Sequence, residues 1–243
     1  MYHMKRGDNK RKNFWEKEYK KGPVRGVERK YLALSDEPSE DFLKFLRFLE
    51  REYNTVYLNK KTSVLDLGCG NGRNLIHLAK TYGTSGIGYD TSKEALAQAK
   101  EKSDGLHIRY DTRSIVGEIS LPDESQTLVL DMMASHYLNK EGRTFLRKES
   151  ARVLKPDGWL FLKTFLREED KNAEELLREY PAGEPGSYIH PKIGVPEHVF
   201  WENEIITELD PYFTVHKVLK SHRHLSHGRA FKRRSISIYA QKK

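Results

Sequence analysis

The stretch Ser63 to Asn74, SVLDLGCGNGRN, constrains this chain more than any other. Val64, Leu65 and Leu67 make a short apolar run of the kind buried on both faces of a parallel sheet, with Asp66 near its carboxyl end. Gly68, Gly70 and Gly72 follow at alternate positions, where the missing side chain lets the backbone turn tightly and come close to a ligand. Leu75, Ile76, Leu78 and Ala79 then recur at helical spacing. Strand, glycine turn and helix, in that order, is the context in which a glycine motif signifies a nucleotide-like ligand at the strand end.

Spacing narrows the ligand. A dinucleotide fingerprint requires glycine where the chain has Arg73, and a P-loop requires a Gly-Lys-Ser/Thr ending that is missing. Thr84 to Asp90 (TSGIGYD) reads as a second strand ending in an acid, twenty-four residues after Asp66. A carboxylate there offers two oxygens to the ribose hydroxyls of an adenosine. Its alternative role is to cap the helix SKEALAQAKEK, which Thr91 or Ser92 is equally placed to do. Leu106 to Tyr110 reads as a third strand, with Asp111 at its end either as a turn residue or as a ligand. Thr127 to Asp131 is a fourth, nearly continuous apolar strand that opens into MMASHYL. Trp159 to Thr164 follows a Pro-Asp-Gly turn as the fifth, and Tyr212 to Leu219 and Ser235 to Ala240 supply the last two.

The run D-x-G-x-G-x-G from Asp66 to Gly72, with Asp90, Asp111, the apolar fourth strand, the phrase LKPDGWLFL and the terminal strand pair, resembles the class I S-adenosylmethionine-dependent methyltransferases. The resemblance is strong over residues 63–164 and holds in element order over 38–241. It implies an α/β fold: a Rossmann-like, doubly wound seven-stranded sheet of order 3-2-1-4-5-7-6 with strand 7 antiparallel, and S-adenosylmethionine over the carboxyl ends of strands 1 to 4. The implied cofactor ligands are Asp66, Gly68, Gly70, Asn71 and Gly72 in the first turn, Asp90 and Thr91 at the ribose, Asp111 and Thr112 at the adenine, and Asp131 beside the methionine part. His136 and Tyr137, in the loop leaving strand four, become catalytic candidates. An imidazole titrates near neutrality and suits a general base; a histidine packed beside the strand is the competing reading. The D/N-P-P-Y/F motif of amino-directed nucleic-acid enzymes is absent, and Cys69 is not placed as a cytosine C5 nucleophile.

Composition decides less. The single cysteine, Cys69, excludes an internal disulfide and a cysteine-rich zinc site. His190 and His198 lack the neighbours of a metal centre, so no metal is expected. No apolar run approaches the length of a membrane span and the N-terminus lacks the apolar segment of a signal peptide, from which a cytoplasmic protein without membrane contact is expected.

The net charge of +8 is concentrated at the ends. The first thirty residues hold eleven Lys or Arg against four Asp or Glu, and no acid follows Asp210. Residues 1–30 are therefore expected to be a flexible basic arm with one short helix, anchored by Phe14, Trp15 and Tyr19 either as a docked face or as a lid. Residues 31–243 are expected to form a single catalytic domain with an insertion or lid at about 165–205, rich in Gly, Pro and aromatics. The segment SHRHLSHGRAFKRR before the last strand reads as a polyanion contact or a solvated hairpin tip. The favoured acceptor is a small molecule; RNA, and a non-catalytic cofactor-binding subunit, are the alternatives. No motif specifies the acceptor atom or the oligomeric state.

Overall fold

The computed structural model describes residues 6–21, 35–221, 225–226, 229–230 and 233–243, with backbone alone for 6–11, 225–226 and 229–230. Parts of the expected arm, at 1–5 and 22–30, and much of the basic segment before the last strand lie outside the described residues. The chain packs as two compact units, one ending at Ser114 and one running from Ile115 to Lys243.

In the first unit, helix α1 (Arg6–Lys20) carries Lys17 and Lys20 in its last turn, where they complement the negative end of the helix dipole. It packs on α4 (Lys93–Lys102). Helix α2 (Glu40–Tyr53) begins where Ser39 accepts a hydrogen bond from the Phe42 amide, and Phe42, Phe45, Leu46 and Leu49 bury one face at helical spacing. Strand β1 (Ser63–Leu67) pairs in parallel with β2 (Ser85–Asp90), and β2 in parallel with β3 (Ile108–Thr112). The turn after β1 leads into α3 (Arg73–Tyr82), which stops at Gly83 in the left-handed region, φ 73°.

In the second unit, β4 (Gln126–Met132) lies parallel to β5 (Leu154–Phe165). Trp159, Leu160, Phe161 and Leu162 of β5 are completely buried, as a central strand requires. Helix α5 (Lys140–Val153) connects the two, capped by Asn139. After β5 come α6 (Lys171–Glu179), the short antiparallel pair β6 (Ser187–Ile189) and β7 (Pro196–His198), α7 (Glu202–Leu209), β8 (Phe213–Lys220), a second short pair β9 (Leu225–Ser226) and β10 (Arg229–Ala230), and β11 (Ser235–Lys242). Strand β11 runs antiparallel to both β5 and β8.

Seven strands join one sheet in the order β3-β2-β1-β4-β5-β11-β8. Counted among the sheet's own strands this is 3-2-1-4-5-7-6, the expected topology. The chain departs from expectation in the two short strand pairs, which interrupt the numbering. The segment expected as a loop at 181–200 contains the β6–β7 hairpin, in which Tyr188 is completely buried between short runs that carry no period-two pattern.

Candidate active site

The glycine turn is built as its sequence requires. Gly68, Gly70 and Gly72 all have positive φ, at 75°, 55° and 75°, a conformation costly to any residue with a Cβ. The Gly68 and Cys69 amides both donate to the Tyr89 carbonyl, at 2.8 and 2.9 Å. The Gly70 amide donates to Asp90 Oδ2 at 2.8 Å, and the Ser92 amide to Asp90 Oδ1 at 2.8 Å. Asp90 thus ties the first turn to the start of α4.

Register places the other acids nearby. Leu67 pairs with Tyr89, Tyr89 with Asp111, and Asp90 with Thr112, so the ends of three adjacent parallel strands present Asp66, Asp90, Asp111 and Thr112 at one edge. Asp66 is buried and accepts from Asn74 Nδ2 at 3.5 Å, whereas Asp111 is half-exposed with Arg109 at 3.3 Å. Thr91 lies between Asp90 and the helix cap Ser92, which accepts from the Ala95 amide. Asn71 turns to the segment before α2, donating to Asp36 Oδ1 at 2.9 Å and to the Ser35 carbonyl at 3.3 Å.

Helix α1 closes over this turn. Glu16 accepts from the Ser92 hydroxyl at 2.8 Å and the Glu94 amide at 3.2 Å, and Gln98 donates to the Tyr19 carbonyl at 3.0 Å. The Tyr19 ring reaches Gly70, and its hydroxyl is held far above its ordinary pKa by burial, with the Asp90 charge adding to the effect.

In the second unit the chain leaves β4 through a strained step. Met133 has φ 61°, an outlier for a non-glycine residue, and its amide donates to the Lys163 carbonyl at 2.8 Å. Asp131, fully buried, accepts from the Ser135 amide at 3.0 Å and from Arg147 Nη1 at 2.6 Å. Arg147 also donates to Ser135 Oγ at 3.0 Å, so one carboxylate and one guanidinium fix the 3-10 turn Ser135–Tyr137. That turn buries His136, whose ring meets Tyr137 at 4.1 Å and the edge of Phe165 at 5.1 Å.

Around this turn buried arginine and histidine side chains tie the inserted segment in place. Arg143 donates to the Leu138 carbonyl at 2.9 Å, to Glu184 at 2.6 Å and to Glu208 at 3.2 Å, with its guanidinium over the Phe200 ring at 5.1 Å. His198 bridges Ser187 Oγ and Glu204 Oε1, each at 2.8 Å. His190 is partly buried and its pKa is lowered, chiefly by that burial. Arg143 and Arg147 escaped the sequence reading; their signal was two arginines four apart on the face of α5 that also carries Leu146 and Ser150.

Residues 64–158 match a family model described as a methyltransferase domain. A methyltransferase of Methanosarcina mazei described as S-adenosylmethionine-dependent is 26% identical, with 76% of this chain and 94% of that one covered at a TM-score of 0.64. These matches and the sheet order make the chain similar to the class I S-adenosylmethionine-dependent methyltransferases. A second such enzyme, from Aquifex aeolicus, aligns over 85% of this chain and 94% of its own with a TM-score of 0.55 at 23% identity, a likeness of fold alone. The phosphoethanolamine N-methyltransferase of Plasmodium falciparum (isolate 3D7) is 25% identical over 126 residues, 51% of this chain and 47% of that one. The chain therefore spans about half the length of that curated relative.

S-adenosylmethionine is the cofactor these similarities imply, and the residues present fit it: Asp90 and Asp111 stand at adjacent strand ends as acceptors for hydroxyl and amino hydrogens. Asp131 is different in kind, since both of its oxygens serve Arg147 and Ser135.

Proposed function

We propose that this methyltransferase transfers the sulfonium methyl of S-adenosylmethionine to a nitrogen, oxygen or sulfur nucleophile of a small molecule. The cofactor supplies an electrophilic methyl; the chain's own residues align the acceptor, exclude water and accept its proton. The observation that carries the small-acceptor reading is the burial of His136 against Tyr137 and Phe165. An imidazole so enclosed suits a compact nucleophile and not a base within a folded RNA. His136 then acts as the proton acceptor, Tyr137 and Phe165 as walls, and Asp131 with Arg147 as the pair that positions the turn.

The likeness to a phosphoethanolamine N-methyltransferase makes a small amine the first acceptor to try. Purified protein is incubated with methyl-labelled cofactor and, separately, phosphoethanolamine, fractionated metabolites, RNA and protein. Label in the metabolite or phosphoethanolamine arm is expected. Label confined to RNA or protein overturns the small-acceptor reading.

A further inference from the structure

Arg233, just before β11, is held on three sides. Its Nε donates to Asp170 Oδ2 at 2.9 Å and its Nη1 to the Tyr188 hydroxyl at 2.7 Å, while the Tyr188 hydroxyl donates in turn to Glu197. The guanidinium plane lies over Phe165 at 4.5 Å and over Tyr188 at 5.6 Å from the ring centres. Asp170 also accepts from the Arg234 amide at 2.8 Å and the Ala173 amide at 3.0 Å. What remains is Nη2, buried and without a hydrogen-bond partner among the described residues.

A guanidinium presents its donors as a fixed fork, and the Nη edge matches the two oxygens of a carboxylate or phosphate. Here the rest of the fork is locked by side chains, so the remaining donor is preorganised. Phe165, which carries one face of Arg233, is the same ring that packs on His136 at 5.1 Å. The donor is therefore one aromatic ring from the candidate base. Glu197, the other carboxylate of this group, is linked to the guanidinium only through the Tyr188 hydroxyl.

We propose that Arg233 forms an oxyanion subsite, taking a phosphate or carboxylate group of the methyl acceptor on Nη2. The proposal rests on the small-acceptor reading above and adds that the acceptor is anionic at one end. Binding of inorganic phosphate and of acetate to the cofactor-saturated protein, by calorimetry, tests it alongside cofactor affinity in each variant. At least one anion is expected to bind the wild-type protein, and Arg233→Gln to weaken it tenfold or more with cofactor affinity unchanged. Tighter phosphate assigns a phosphorylated acceptor, and tighter acetate a carboxylate.

Arg233→Lys keeps a charge beside Asp170 and removes the fork, so it is expected to show a similar loss and serves as the comparison if the glutamine variant melts early. Anion affinity equal in all three proteins, or absent from the wild type, overturns the subsite. Absence of cofactor binding in the wild type overturns the methyltransferase reading, and the same anion comparison on the cofactor-free proteins then decides the subsite.

Discussion

The Tyr19 hydroxyl fills the position a Cβ on Gly70 would occupy. Glycine at that position answers two demands at once, a φ of 55° and the approach of a helix from elsewhere in the chain.

Gly70→Ala is therefore expected to destabilise the protein by more than the roughly 1–2 kcal/mol cost of a left-handed non-glycine residue, because Tyr19 must also move. Combining it with Tyr19→Phe should return part of the difference, since the nearest atom is then gone. Urea denaturation of both single variants and the double variant measures the coupling; strict additivity would show that the two residues are independent.

Asp90→Ala removes the acceptor for the Gly70 and Ser92 amides as well as the implied ribose ligand. Cofactor affinity should fall by about 2–3 kcal/mol, the value of charge-assisted hydrogen bonds. Calorimetry reads this directly, and an unchanged dissociation constant would remove Asp90 from the cofactor site.

Arg147→Met takes the guanidinium partner from Asp131 in a fully buried position. Breaking such a pair costs about 3–5 kcal/mol, whereas replacing both partners with apolar residues of similar volume is close to neutral. Thermal melts should therefore rank Arg147→Met well below the double variant Arg147→Met with Asp131→Leu. The reverse ranking would mean that the carboxylate has a role beyond its arginine.

Stability should depend on pH through Glu149. Its hydrogen bond from Arg152 lowers its pKa from the ordinary 4.5, the Ile119 amide helping while burial opposes. A depressed folded-state pKa means that the stabilisation is complete above 4.5 and is lost as the pH falls through the lower, folded value. Denaturation midpoints in Glu149→Gln should lie below wild type at neutral pH and converge with it in acid; parallel curves would exclude the linkage.

His136→Ala should keep cofactor binding and lower methyl transfer by about 100-fold or more, the usual contribution of a general base. Transfer at the wild-type rate would reduce His136 to a packing residue.

The strand ends and glycine turn expected to face the cofactor were legible because they are local. Asp66 and the glycines lie within one turn, and Asp90 and Asp111 each close a strand whose apolar pattern is plain. The sheet order followed from the resemblance those motifs carried. The surroundings of His136 were not legible, since they depend on side chains that meet across long separations: Arg147 with Asp131 over 16 residues, Arg143 with Glu184 over 41, and Arg233 with Asp170 over 63. Single arginines on a helix face or in a basic run look like solvated surface until their partners are known. The β6–β7 hairpin escaped for another reason, since three-residue strands are too short to show a period.

Cys69 sits inside the glycine turn, buried, its thiol held well above its ordinary pKa by that burial. Because it is the sole sulfhydryl in the chain, a disulfide dye can modify the native protein only during excursions that expose the turn. Labelling speed becomes a clock for breathing at the place where the cofactor is expected, readable without an acceptor, without turnover and without altering a residue.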